Sequence, residues 1–66
     1  MPLIEIHLLE GRTAQQKKKL LASVTQAAHE SLGASLQSIR VWIHEFTAEE
    51  YMAAGELAAD RVKRKT

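Results

Sequence analysis

Two alternating apolar runs bracket one stretch of helical periodicity, and this order leaves few ways to fold. In the run 3–9, Ile4, Ile6 and Leu8 share one face, while Leu3, Glu5, His7 and Leu9 share the other. In the run 39–46, Ile39, Val41 and Ile43 alternate with Arg40, Trp42 and His44. Between the two runs Leu20, Leu21, Val24, Ala27, Ala28 and Leu32 recur at helical spacing. Gln15, Lys18, Lys19, Ser23, Gln26 and Glu30 take the wet side of that helix. Thr13, with Gln16 three residues on, fits a capping box at its start, and Gly33 is placed to stop it. Strand, helix, strand predicts a small β-α-β unit of the α/β class, its strands parallel and its crossover right-handed.

The helix of such a unit covers one face of the sheet. A two-stranded sheet whose other face is bare is not stable in water. Trp42 is expected on that other face, so the pattern itself asks for cover. A chain of 66 residues is one domain at most, here 1–66, and is marginal alone. Small domains are supported by disulfides, metals or partner chains. There is no cysteine, and the three histidines, at positions 7, 29 and 44, do not make a zinc pattern. Oligomerisation is the remaining support.

Hydrophobic content of 45% is that of a globular chain. A net charge of +1 is too small to argue for nucleic acid or an anionic membrane as partner. No apolar stretch approaches the roughly 20 residues that span a bilayer. The N-terminus lacks a basic n-region, and Glu5 and His7 interrupt its apolar run, so a cytoplasmic location is expected. Beyond Phe46, Thr47 is placed to cap a short helix through Glu50. The segment 51–59 is alanine-rich with Gly55 inside it, and RVKRK at 61–65 reads as a solvated, frayed tail.

Pro2 stands directly behind the initiator methionine. Its small side chain is of the kind that permits methionine removal, which would leave a free secondary amine able to take and give protons. The alternative is that Pro2 merely opens a strand, where a missing N–H does least harm. Parallel pairing adds a geometric constraint. Pro2 starts the first strand and Arg40 lies near the start of the second, so both fall at one end of the sheet. Arg12 lies ten residues beyond Pro2, past the far end of the first strand. At about 3.3 Å per strand residue that is on the order of 25–30 Å away. One chain cannot bring Pro2 and Arg12 into one small pocket; a second chain, packed in the opposite sense, can.

PLIEIHLLEGRT at 2–13, QKKKLL at 16–21, SLGASLQSIRVWIHE at 31–45 and GELA at 55–58 together cover almost the whole chain. In these pieces the chain resembles the 4-oxalocrotonate tautomerase family of the tautomerase superfamily. The resemblance implies a β-α-β protomer that assembles into an oligomer, usually a hexamer, and an enzyme with no metal or organic cofactor. It implies Pro2 as the general base and acid that moves a proton between an enol oxygen and a carbon. Arg12 and Arg40 match arginines that bind carboxylate and carbonyl oxygens of the substrate, donated by different chains. Leu9 matches a residue whose backbone amide faces the site, and Tyr51 falls where many relatives have phenylalanine in the apolar wall. The chain departs from the family where Ala53 and Ala54 occupy a region that is often glycine-rich.

The chemistry agrees with that expectation. Isomerising an enol needs a base that holds a proton briefly and returns it, best with a pKa near the operating pH. An apolar wall and nearby arginines both disfavour the ammonium form, which brings a secondary amine toward that range. The same arginines stabilise oxyanion charge as a dienolate develops, and two guanidinium groups suit a small-molecule dicarboxylate such as a 2-hydroxymuconate-like dienol. Two other expectations are weighed against this one. Hydration or dehalogenation of haloacrylates would want a further arginine where Leu9 stands. A non-catalytic oligomeric scaffold would follow if Met1 were retained. His7 and His44 read as hydrogen-bonded sheet or interface residues.

Overall fold

The computed structural model describes residues 1–65. Strand β1 (Leu3–Leu9) leads into helix α1 (Ala14–Leu32), and strand β2 (Arg40–Phe46) returns parallel to β1. A short hairpin, β3 (Met52–Ala53) and β4 (Glu56–Leu57), and helix α2 (Ala58–Lys65) complete the chain.

The ends of α1 are set locally. The Gln16 amide donates to Thr13 Oγ1 at 3.1 Å, and the Thr13 amide donates to Gln16 Oε1 at 2.9 Å, which closes the capping box. At the other end Gly33 adopts φ 71° and donates its N–H to the His29 carbonyl. That left-handed conformation ends the helix without a Cβ clash. The register pairs Leu3 with Arg40 and runs without slip to Leu9 with Phe46. One further bond at each end extends the ladder: Arg40 donates to the Pro2 carbonyl at 3.1 Å, and Glu10 donates to the Phe46 carbonyl at 2.9 Å. Strand β2 begins at Arg40, one residue later than its apolar run, because Ile39 closes a 3-10 turn by donating to the Leu36 carbonyl.

Alternation puts Ile4, Ile6, Leu8, Val41 and Ile43 in half-buried rows, and α1 packs on β2. Lys17 reaches across from the helix to Glu45 at 3.1 Å. Among the described residues only Ala28 and Ile39 are buried, at 8% and 7% exposure. Leu3, Leu32, Leu36 and Trp42 remain exposed. The chain measures 45 × 24 × 15 Å with a radius of gyration of 15.4 Å. A compact chain of this length has about 11 Å. A fold with so little interior cannot offset the entropy of its own ordering. It is a protomer shaped for assembly.

Past β2, Thr47 caps a single 3-10 turn, Ala48–Glu50, and the Glu50 carboxylate accepts from both the Thr47 amide (3.1 Å) and its hydroxyl (2.9 Å). The hairpin then turns through Ala54 at φ 54° and Gly55 at φ 81°. Two consecutive positive φ values are what a two-residue type I′ turn requires. The hairpin therefore forms although alanine occupies its first left-handed position. The tail departs from expectation: the backbone of 58–65 is helical rather than frayed. Solvation of the side chains at 62–65 lies outside the described residues. No described helix is long and apolar enough to cross a membrane.

Candidate active site

The two ends of the parallel pair carry different residues. At the starting end the Pro2 carbonyl accepts the Arg40 amide, so the half-buried Pro2 ring sits beside the start of β2. The Arg40 guanidinium folds back on the preceding turn, with Nη1 donating to the carbonyls of Gln37 (2.6 Å) and Ile39 (3.2 Å). Met1 projects outward with 82% of its surface exposed.

At the finishing end Arg12 Nη1 donates to the Leu9 carbonyl at 3.0 Å, which draws the guanidinium back over the end of β1. Leu9 pairs with Phe46, and Phe46 stacks on Tyr51 with ring centroids 5.1 Å apart. The Tyr51 carbonyl accepts the Ala58 amide at 2.9 Å, which ties the ring's backbone to the segment after the hairpin. Leu9, Arg12 and Tyr51 thus form one group, and Pro2 and Arg40 form another. Six strand steps, about 20 Å at 3.3 Å per residue, separate Leu3 from Leu9.

Neither arginine has a carboxylate partner among the described residues. Both satisfy only part of their donor capacity, on backbone carbonyls, and keep a full positive charge for an incoming anion. A single chain encloses no pocket among the described residues.

A third group was not singled out from the sequence. On the open face of the sheet Glu5 Oε1 accepts from Trp42 Nε1 at 2.9 Å and lies 3.3 Å from His44 Nε2, while Oε2 lies 2.7 Å from His7 Nε2. The two imidazoles stack at 5.6 Å. These residues lie up to 39 positions apart in the chain, and the parallel register brings them together. The signal was present in the parity of 5, 7, 42 and 44, all on the face away from the helix. The Glu5 carboxyl is held below its ordinary pKa, first by the Trp42 hydrogen bond and then by the neighbouring imidazoles.

Residues 2–61 match the family model of the tautomerase enzymes. The chain belongs to the tautomerase family. A 2-hydroxymuconate tautomerase of Comamonas testosteroni is 42% identical over 60 residues, covering 91% of this chain and 95% of its own. Among solved structures, TomN, a 4-oxalocrotonate tautomerase homologue in the tomaymycin biosynthetic pathway, superposes with a TM-score of 0.94 at 37% identity, covering 98% of this chain and 100% of TomN. A heterohexamer 4-oxalocrotonate tautomerase from Chloroflexus aurantiacus superposes with a TM-score of 0.88 at 30% identity, covering 91% and 97%. This tautomerase is an isomerase of the 4-oxalocrotonate tautomerase type, with the β-α-β protomer of that family.

Proposed function

We propose that this tautomerase interconverts the enol and keto forms of an unsaturated 2-hydroxy/2-oxo dicarboxylic acid, with Pro2 as general base and acid once Met1 is removed. The observation that carries the reading is the division of residues between the sheet ends. Pro2 and Arg40 lie at one end, Leu9, Arg12 and Tyr51 at the other, and neither arginine is paired with a carboxylate among the described residues. The likeness to the Comamonas 2-hydroxymuconate tautomerase supports the substrate class.

The steps follow from the groups. The Pro2 amine removes the proton from the 2-hydroxyl. The electrons of that O–H bond form the carbonyl, and the conjugated double bonds shift along the chain. The ammonium then returns its proton to a carbon, so a proton has moved from oxygen to carbon with no other change. Arg40 of one chain and Arg12 of another hold the carboxylates and the developing oxyanion. Tyr51 and Phe46 form the apolar side of the site, which disfavours the ammonium and lowers the amine's basicity. Copies that pair head to tail bring the two sheet ends together, in a homo-oligomer of hexameric type.

Blocking the nitrogen tests the assignment. Intact-mass measurement should find the chain beginning at Pro2. A variant with an N-terminal extension that resists removal should lose tautomerisation of 2-hydroxymuconate while keeping its oligomeric state. Full activity in the blocked protein would leave Pro2 as no more than the start of a strand.

A further inference from the structure

The turn that joins β2 to the hairpin is held by more than its backbone. Residues 48–50 make one 3-10 turn, closed by a bond from the Glu50 amide to the Thr47 carbonyl at 3.0 Å. So short a turn is weak by itself. Two side-chain bonds reinforce it: Glu50 Oε1 accepts the Thr47 amide at 3.1 Å and the Thr47 hydroxyl at 2.9 Å. An ionised acceptor makes such bonds stronger than neutral ones.

This capping box stands between two aromatic residues. Phe46 precedes Thr47 and Tyr51 follows Glu50, and their rings stack 5.1 Å apart with 30° between the planes. Tyr51 keeps 48% of its surface exposed, so burial alone does not fix the ring. On its far side the Tyr51 backbone is tied to the Ala58 amide at 2.9 Å. On its near side the direction in which the ring leaves the turn is set by residues 47–50. Their side-chain hydrogen bonds, among the described residues, run between Thr47 and Glu50. No ion pair joins Glu50 to Arg12 or Arg40 among the described residues. An effect of the box on chemistry therefore passes through the Tyr51 ring.

We propose that Thr47 and Glu50 are positioning residues for the active site: their box holds the Tyr51 ring on Phe46, and through that ring it shapes the apolar wall beside the proline amine. The inference rests on the tautomerase reading given above, in which Tyr51 and Phe46 supply that wall. It adds two polar residues that touch neither the substrate nor the amine. Removing the carboxylate frees the turn, and a ring that swings off Phe46 leaves the wall open to water. The ammonium form is then less disfavoured, so the amine becomes more basic.

Steady-state kinetics of the full chain on 2-hydroxymuconate, from about pH 5 to about pH 9, test the assignment. Glu50→Ala should lower kcat/KM at neutral pH on the order of tenfold. It should also move the ascending limb of kcat/KM to higher pH, since that limb reports the free enzyme's base. A loss of stability alone would reduce the amount of folded enzyme and leave the limb in place. Thr47→Ala keeps the amide and loses the hydroxyl, so it should move the limb the same way by less. Thr47→Ser should restore it, because serine also closes a capping box. In a Tyr51→Ala background Glu50→Ala should add little, since the path through the ring is already cut. Where Glu50→Ala does not assemble, the two Thr47 variants decide. An active enzyme whose kcat/KM and limb are unmoved by Glu50→Ala overturns the inference, as does a fully additive loss in the Tyr51→Ala background. A wild-type chain that does not isomerise the dienol overturns the tautomerase reading along with it.

Discussion

Arg40 donates its backbone N–H to the carbonyl of Pro2, 3.1 Å away, and this one bond fixes which arginine shares a sheet end with the proline. The other, Arg12, is anchored on the Leu9 carbonyl at the opposite end. Parallel strands have no means of folding one end onto the other, so under the proposed function the two arginines of one chain serve different sites.

Mixing experiments should expose that division. Arg12→Ala and Arg40→Ala should each lower kcat/KM for a dicarboxylate substrate on the order of 100- to 1,000-fold, the loss typical of one oxyanion-stabilising donor. Chains carrying Arg12→Ala, unfolded and refolded together with chains blocked at Pro2, should regain part of the wild-type rate, because some sites then draw an intact proline and an intact arginine from different parents. A mixture no more active than its components would place both groups in one chain's site.

Ala54 is the one residue other than glycine with a positive φ among the described residues, at 54°. A left-handed alanine costs about 1–2 kcal/mol, whereas asparagine tolerates that region. Ala54→Asn should stabilise the protein by about 0.5–1 kcal/mol, and Ala54→Val should destabilise it. Urea midpoints at matched protomer concentration provide the comparison, since assembly contributes to apparent stability.

The Glu50 carboxyl is held below its ordinary value of 4.5, first by the Thr47 amide and then by the Thr47 hydroxyl. A carboxyl whose folded pKa lies below its unfolded one contributes stability above the unfolded value, and the contribution is lost as pH falls through the folded value. Glu50→Gln should therefore be less stable than wild type at pH 7, and the difference should close as the pH is taken below 4.5. Denaturant midpoints of both proteins across that interval give the answer. A gap that stays constant would mean the bond to Thr47 does not depend on charge.

Periodicity alone located β1 to the residue, because LIEIHLL alternates without interruption. Thr13, Gln16 and Gly33 marked both ends of α1 because capping is a local affair. The start of β2 was less legible: Ile39 continues the apolar alternation, but a turn claims its N–H first. The hairpin was less legible because Ala-Ala-Gly lacks the residues that usually announce a left-handed turn. Helix α2 was hidden for a related reason, since a basic run after a glycine looks like a solvated end. The division of Pro2 and Arg40 from Arg12 could be argued in advance from strand direction. The Glu5 cluster was legible only in part: parity puts 5, 7, 42 and 44 on one face, but the pairing of Glu5 with Trp42 and of His7 with His44 depends on register, which is set by the sheet and not by any one segment.

The direction of two strands also bears on how genes for such chains can diverge. If a coding sequence is duplicated, the proposed division of the site would let one copy lose the proline and the other Arg12 while a mixed oligomer kept some intact sites. Each daughter is then retained because the other has decayed at the opposite sheet end. Parallel strands about 20 Å long thus make shared obligation between duplicates an accessible outcome, without any gain of new contacts.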